Sequence, residues 1–230
     1  MLQPVSLYII GAQCTGKTTL VRALKQAIST QHPSLQLRTI SEVARTVLQE
    51  HNFTRDDIAY SPHRAFQLQQ LILAAQYAEE RKRPTELERY IVLSDRSGVD
   101  PIVYAINYGP PLSRELLEDS THWQYLRGRM RTSLVILCPP RQQWLKDDGT
   151  RLMAGTLSEW EHTHLTFTQV LKENEISFQI IPRELLSVED RVEFVLRLWR
   201  EMAEGNGSKE KGTTPTIHGS ENMVSFSLNN

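Results

Sequence analysis

Residues 11–18 read Gly11-Ala12-Gln13-Cys14-Thr15-Gly16-Lys17-Thr18, a complete G-x-x-x-x-G-K-[ST] string. No other stretch of the chain restricts its fold so tightly. Glycines at this spacing let the backbone curl until successive N–H groups point inward at an anion. Lys17 brings a mobile positive charge for β- and γ-phosphates, and the Thr18 hydroxyl suits Mg²⁺. The string works only between a strand and a helix. Val5-Ser6-Leu7-Tyr8-Ile9-Ile10 is a short β-rich run, and Leu20, Leu24, Ala27 and Ile28 follow at helical spacing. A helix starting here adds free N–H groups and partial positive charge at the phosphates. The expected donor-binding set is Gly11 through Thr18 with Thr19. The expected cofactors are ATP, with GTP as the alternative, and Mg²⁺.

The bulk numbers exclude several classes. A chain of 230 residues is one domain, or one domain with a tail. Its 26 Lys plus Arg and 27 Asp plus Glu leave a net charge of −1, so no global field gathers nucleic acid. Two cysteines lie far apart, and a disulfide at Cys14 would obstruct the phosphate loop, which suggests a reduced, cytoplasmic setting. No apolar run is long enough to span a membrane, and the chain enters its first strand without a leader-like segment.

Short apolar strands alternate with longer helical stretches, the pattern of an α/β fold with a parallel sheet. Further strands are expected at Leu35–Ile40, Tyr90–Ser94, Ser133–Leu137 and Ser177–Ile181. Helices are expected from about Ser41 to Glu50, from Pro62 to before Pro84, from Asp100 to Pro110, and over Ser113–Met130. Thr156-x-x-Glu159 and Ser187-x-x-Asp190 each open another helix. Residues 51–62 read as a loop. Residues 1–203 form the expected domain, with a lid at about 139–155, and 204–230 read as a disordered tail.

Three more stretches suit phosphoryl chemistry. Asp95 stands just past the end of an apolar strand, where a carboxylate can hold Mg²⁺, and Arg96 beside it can meet the transferring phosphate or an acidic substrate group; a helix cap and a surface charge are the plainer roles. Glu42 follows the second strand, where it can accept a hydroxyl proton, orient a substrate, or simply favour a helix start. Arg141–Arg151 is a charged stretch between a strand and a capped helix, which fits a cover closing over phosphates. Arg151 is the better candidate there for a cation at the transferring group and Arg141 the second, with Trp144 as a packing residue. The seven histidines show no metal spacing.

Taken in order, the GKTTL loop, Ser-Glu-Val-Ala-Arg, Ser-Asp-Arg-Ser-x-x-Asp and Trp-x-x-Asp-Asp-Gly-x-Arg resemble a known family. It is the AAA-type P-loop group containing the ribosylnicotinamide kinase domain of the bacterial NAD regulator NadR, to which the TRPL translocation-defect GTPases also belong. The likeness covers roughly residues 5–200 and includes the long helix with Phe66-Gln67-Leu68-Gln69-Gln70. It implies a three-layer P-loop NTPase fold with a mainly parallel five-stranded sheet, nucleoside-kinase-like and carrying a lid. The Asp-Arg-Ser stretch is also similar to that of deoxynucleoside kinases, which implies Glu42 as base. A small-molecule kinase is thus expected, with Lys17, Glu42, Asp95, Arg96 and Arg151 catalytic and Thr18 and Asp95 on the metal. Its partners would be a nucleotide and a small acceptor, with oligomeric state left open. A GTPase-like switch, for which Asp95-Arg96-Ser97-Gly98 matches D-x-x-G, and a non-catalytic nucleotide-binding module are the alternatives.

Overall fold

The structure, a computed structural model, describes residues 5–41, 43–82, 90–141, 144 and 156–209, with side chains to residue 204. Five strands form one sheet: β1 (Leu7–Ile10), β2 (Gln36–Ile40), β3 (Tyr90–Asp95), β4 (Leu134–Leu137) and β5 (Gln179–Ile180). Their order is β2-β3-β1-β4-β5 and every pairing is parallel. Among the described residues nine helices connect and cover them. Period-two alternation along β1 builds both faces. Leu7 and Ile9 pack with Leu20, Leu24 and Ile28 of α1 (Lys17–Gln31) and with Val195 and Trp199 of α9 (Val188–Lys209). Tyr8 and Ile10 face Leu73 of α4 (Pro62–Arg81), Ile102 of α5 (Val99–Tyr108), Leu126 of α7 (Thr121–Arg131) and Phe167 of α8 (Leu157–Glu173). The result is the expected three-layer α/β P-loop fold.

Three local features depart from the sequence reading. The stretch 51–62 contains a short helix, α3 (Arg55–Tyr60), opened by a capping box in which Thr54 and Asp57 bond each other's backbone N–H. Its single buried residue, Ile58, gives no helical period to read. The single helix expected over Ser113–Met130 is two, α6 (Ser113–Glu118) and α7. Ser120 turns to an extended conformation, and its Oγ accepts from the N–H of Trp123 at 3.2 Å, so a side-chain cap replaces helix continuation. Finally, α9 runs to Lys209, past the boundary at 203. Extending an established helix adds one backbone bond per residue fixed, so a packed helix carries its end beyond Ala203, the last position buried among the described side chains.

Other starts and stops follow from capping chemistry. Ser61 caps α4 with Pro62 in its first turn. Thr156 caps α8, and Ser187 accepts from the N–H of Asp190 as α9 begins. The helix α2 (Val43–Glu50) begins directly after residue 42, which lies outside the described residues.

Candidate active site

In an open parallel sheet the strand order reverses beside the first strand, and ligands collect at the carboxyl ends there. The loops after β1, β3 and β4 meet at this point. Gly11 has φ 135°, and a Cβ on it would stand 2.6 Å from the Cys138 carbonyl oxygen at the end of β4. Gly16, at φ 75°, precedes α1 and accepts from the N–H of Leu20 at 3.0 Å. The loop is tethered from two helices. Tyr104 of α5 donates to Gln13 Oε1 at 2.7 Å, and the indole N–H of Trp160 on α8 donates to the Gln13 carbonyl at 2.8 Å.

Lys17 is buried, and its ammonium donates to the Ala12 carbonyl at 2.5 Å and to Thr15 Oγ1 at 3.3 Å. Burial, reinforced by the positive charge of Arg96, pushes its pKa down to about 8, against the opposing pull of Asp100 and Asp95. Thr18 donates from Oγ1 to Asp95 Oδ2 at 2.5 Å. The other Asp95 oxygen, Oδ1, is buried without a hydrogen-bond partner. A hydroxyl and a carboxylate with an uncommitted oxygen, at the mouth of a phosphate loop, make a hard-oxygen site that fits Mg²⁺. Among the described residues no cluster of three or more His, Cys, Asp or Glu could hold a metal.

Arg96 follows Asp95 at φ 83°, an uncommon conformation for a residue with a side chain, fixed by its N–H donating to the Ile9 carbonyl at 3.0 Å. Its guanidinium meets Asp100 Oδ1 at 3.3 Å. Asp100 Oδ2 accepts from both the N–H (2.8 Å) and the hydroxyl (3.2 Å) of Ser97. Burial raises the Asp100 pKa while Arg96 and Lys17 draw it down. Asp100 thus holds the Asp-Arg-Ser turn in one geometry.

Two cavities meet at Arg96. The first, about 620 Å³, runs along Cys14–Thr19 and takes in Arg22, Arg45, Arg96, Trp144, Leu186 and Arg191. Its rim is strongly cationic, which suits a polyphosphate. The second, about 110 Å³, is walled by apolar residues of α2, α3 and α4 (Val43, Leu48, Ile58, Leu68, Ile72). Polar groups enter it at Gln13, Gln69, Gln76, Arg96, Asp100 and Tyr104. An apolar slot with few, fixed polar groups is the usual form of a small-molecule site. The Gln76 amide is locked, because its Nε2 donates to Glu80 Oε1 (3.0 Å) and Ser94 Oγ (3.2 Å). Both N–H bonds are then committed, so a ligand meets Gln76 as a carbonyl acceptor. Glu80 Oε2 in turn accepts from Tyr8 at 2.6 Å and pairs with Arg129 Nε at 3.0 Å.

The sequence-derived candidates Lys17, Thr18, Asp95 and Arg96 lie together around the phosphate loop. Glu42 and Arg151 lie outside the described residues, as does most of the 139–155 cover. Beside Glu42, Val43 and Ala44 line the second cavity and Arg45 lines the first. Arg141 does not enter the phosphate cleft; it donates to the carbonyls of Pro182 (3.1 Å) and Leu185 (2.6 Å) and stacks on Trp144. Sequence reading gave no role to Gln69, Gln76, Tyr104 or Arg191. The two glutamines stand seven residues apart, two turns along one face of α4, and that spacing was the signal available in the sequence.

A search of curated proteins finds no match to this sequence. Among solved structures, NadR in complex with NR aligns at TM-score 0.62 and 21% identity, covering 94% of this chain and 54% of that one. The chain therefore spans about half the length of the NadR structures it is similar to. Thymidylate kinase from Candida albicans aligns at TM-score 0.57 and 15% identity, covering 90% of this chain and 94% of that one. Deoxyadenosine kinase from M. mycoides with bound dATP aligns at 0.53 and 19%, covering 84% and 98%. At these identities the likeness is one of fold alone. The model of the AAA domain family matches residues 6–191, from the first strand to the arginine that lines the phosphate cleft, and the chain belongs to that family.

Proposed function

We propose that this protein is a Mg²⁺-dependent kinase that moves the γ-phosphoryl of ATP to a hydroxyl of a nucleoside-like acceptor. The observation that carries this reading is the shared wall: Arg96 lines both the phosphate cleft and the apolar second cavity. A donor phosphate and an acceptor hydroxyl held on either side of one guanidinium are brought close, and positioning is most of what phosphoryl transfer requires.

In this reading Lys17 neutralises the β- and γ-phosphates, while Thr18 and Asp95 hold Mg²⁺, which offsets charge on the phosphate oxygens. The acceptor oxygen bonds to the γ-phosphorus as the bond to the β-bridging oxygen breaks. The acceptor's proton passes to Glu42, and ADP leaves. Arg96, steadied by Asp100, stabilises charge on the equatorial oxygens, and Arg151 adds a second cation as the cover closes. In the second cavity a planar ring lies between the apolar walls, with Gln76 accepting from one of its N–H or O–H groups. The Asp95–Gly98 turn is held by Asp100 and Ser97 bonds, which favours a fixed catalytic turn over a switch that moves on hydrolysis.

Glu42→Gln tests the assignment of the base. It should bind MgATP as the wild type does and lose transfer by about 100-fold or more. Wild-type turnover in this variant would remove Glu42 from the mechanism.

A further inference from the structure

Arg191, on the first turn of α9, is 2% exposed and lies 176 residues from the loop it touches. Its Nη2 donates to the Thr15 carbonyl at 3.2 Å and to Cys138 Sγ at 3.4 Å. A Cβ on Gly16 would stand 2.7 Å from its Nη1, so the guanidinium rests directly on the phosphate loop. Its outer face is covered by Trp144, with the ring centre 4.9 Å away. Its Nε is buried with no hydrogen-bond partner.

Among the described residues no counter-charge meets this arginine. Buried Glu80 pairs with Arg129, and buried Asp100 pairs with Arg96. No ion pair to Arg191 is found among the described residues. Cys138 gives no anion either, because burial pushes its thiol up. Lys17 and Arg96 line the same cleft and carry the same sign. A buried cation among cations is expensive unless something supplies negative charge. A carbonyl and a thiol do not need a full charge to bond them; a neutral amide would serve.

We propose that Arg191 is a nucleotide-binding residue whose charge is held for the polyphosphate of the donor, and that it enters the cleft from the C-terminal helix. This rests on the nucleotide site described above and adds to it a cation outside both the phosphate loop and the cover. The fork geometry of arginine suits phosphate oxygens. The missing side chain at Gly16 leaves room for the guanidinium against the loop, where it lines the cleft.

Arg191→Gln is the informative variant, since it removes the charge and keeps an amide N–H donor on a shorter side chain. Affinities for ATP and for adenosine are measured by titration calorimetry in wild type and variant, and ligand-free melting temperatures by scanning calorimetry. The preference for ATP over adenosine should fall at least about tenfold in the variant. The ligand-free melting temperature should stay level or rise, because an uncompensated charge has gone. Should Arg191→Gln fail to fold, Arg191→Met carries the same comparison without a polar group to bury. A preference within about twofold of wild type overturns the proposal and leaves Arg191 as a structural tie. Absence of ATP binding in the wild-type protein would instead overturn the nucleotide site itself, so the two failures are distinct.

Discussion

Replacing Thr18 with Val removes one oxygen from the site and little volume. In the structure that oxygen donates to Asp95 Oδ2 at 2.5 Å, while Oδ1 already lacks a partner. The variant leaves a carboxylate at the end of β3, only 7% exposed, with neither oxygen bonded. A hydrogen bond to a charged group contributes about 1.5–3 kcal/mol, so the ligand-free protein should lose about 2 kcal/mol. For a domain of this size that corresponds to a fall in melting temperature of about 4–8 °C, read by scanning calorimetry. The same hydroxyl is assigned to Mg²⁺, so the gain in ATP affinity on adding Mg²⁺ should shrink about tenfold or more. Titrations with MgATP and with ATP in EDTA measure that gain. Thr18→Ser keeps the hydroxyl and should behave as wild type in both assays. A Thr18→Val protein that loses stability but keeps the full Mg²⁺ effect would refute the metal assignment. One that keeps its stability would refute the bond to Asp95 as a stabilising contact.

Two further outcomes follow from buried charge. Lys17 has a pKa brought down to about 8 from 10.5 by burial and Arg96, so the folded protein holds fewer protons than the unfolded chain between these values. Ligand-free stability should therefore rise with pH across that window and be lost as pH falls toward 8. ATP binding should weaken above about pH 8 and take up a proton, seen as a dependence of binding heat on buffer ionisation enthalpy; binding flat from pH 7 to 9 would refute this. Glu80→Gln breaks a carboxylate bonded by Tyr8, Gln76 and Arg129, and should cost about 3 kcal/mol. It also loosens the Gln76 amide, which keeps its bond to Ser94 alone, so KM for the acceptor should rise while KM for ATP stays level. An unchanged acceptor KM would separate Gln76 from the acceptor.

What was legible in the sequence was local. The phosphate loop carries its whole chemistry in eight consecutive residues and is flanked by the strand and helix it needs. Asp95 could be placed because strand ends of parallel sheets gather on one side. The second cavity was not legible, because its walls come from four helices that only the tertiary packing brings together. Arg191 was beyond reach for the same reason: as a lone arginine near the start of an amphipathic helix it looks like an exposed charge, and only the packing of α9 against α1 buries it at the loop. The break at Ser120 and the helix after Thr54 turn on single side-chain caps, which compete with propensity and leave no periodic trace.

The direct test of a kinase is the fate of the γ-phosphoryl. Wild-type protein with Mg²⁺ and γ-labelled ATP, challenged with a panel of nucleosides, should place the label on the nucleoside hydroxyl, with ADP formed in equal amount. Without a nucleoside ADP should form slowly, and Lys17→Ala should show no transfer. Label recovered only as inorganic phosphate, at a rate that no nucleoside alters, would contradict the kinase reading and leave a nucleotide hydrolase.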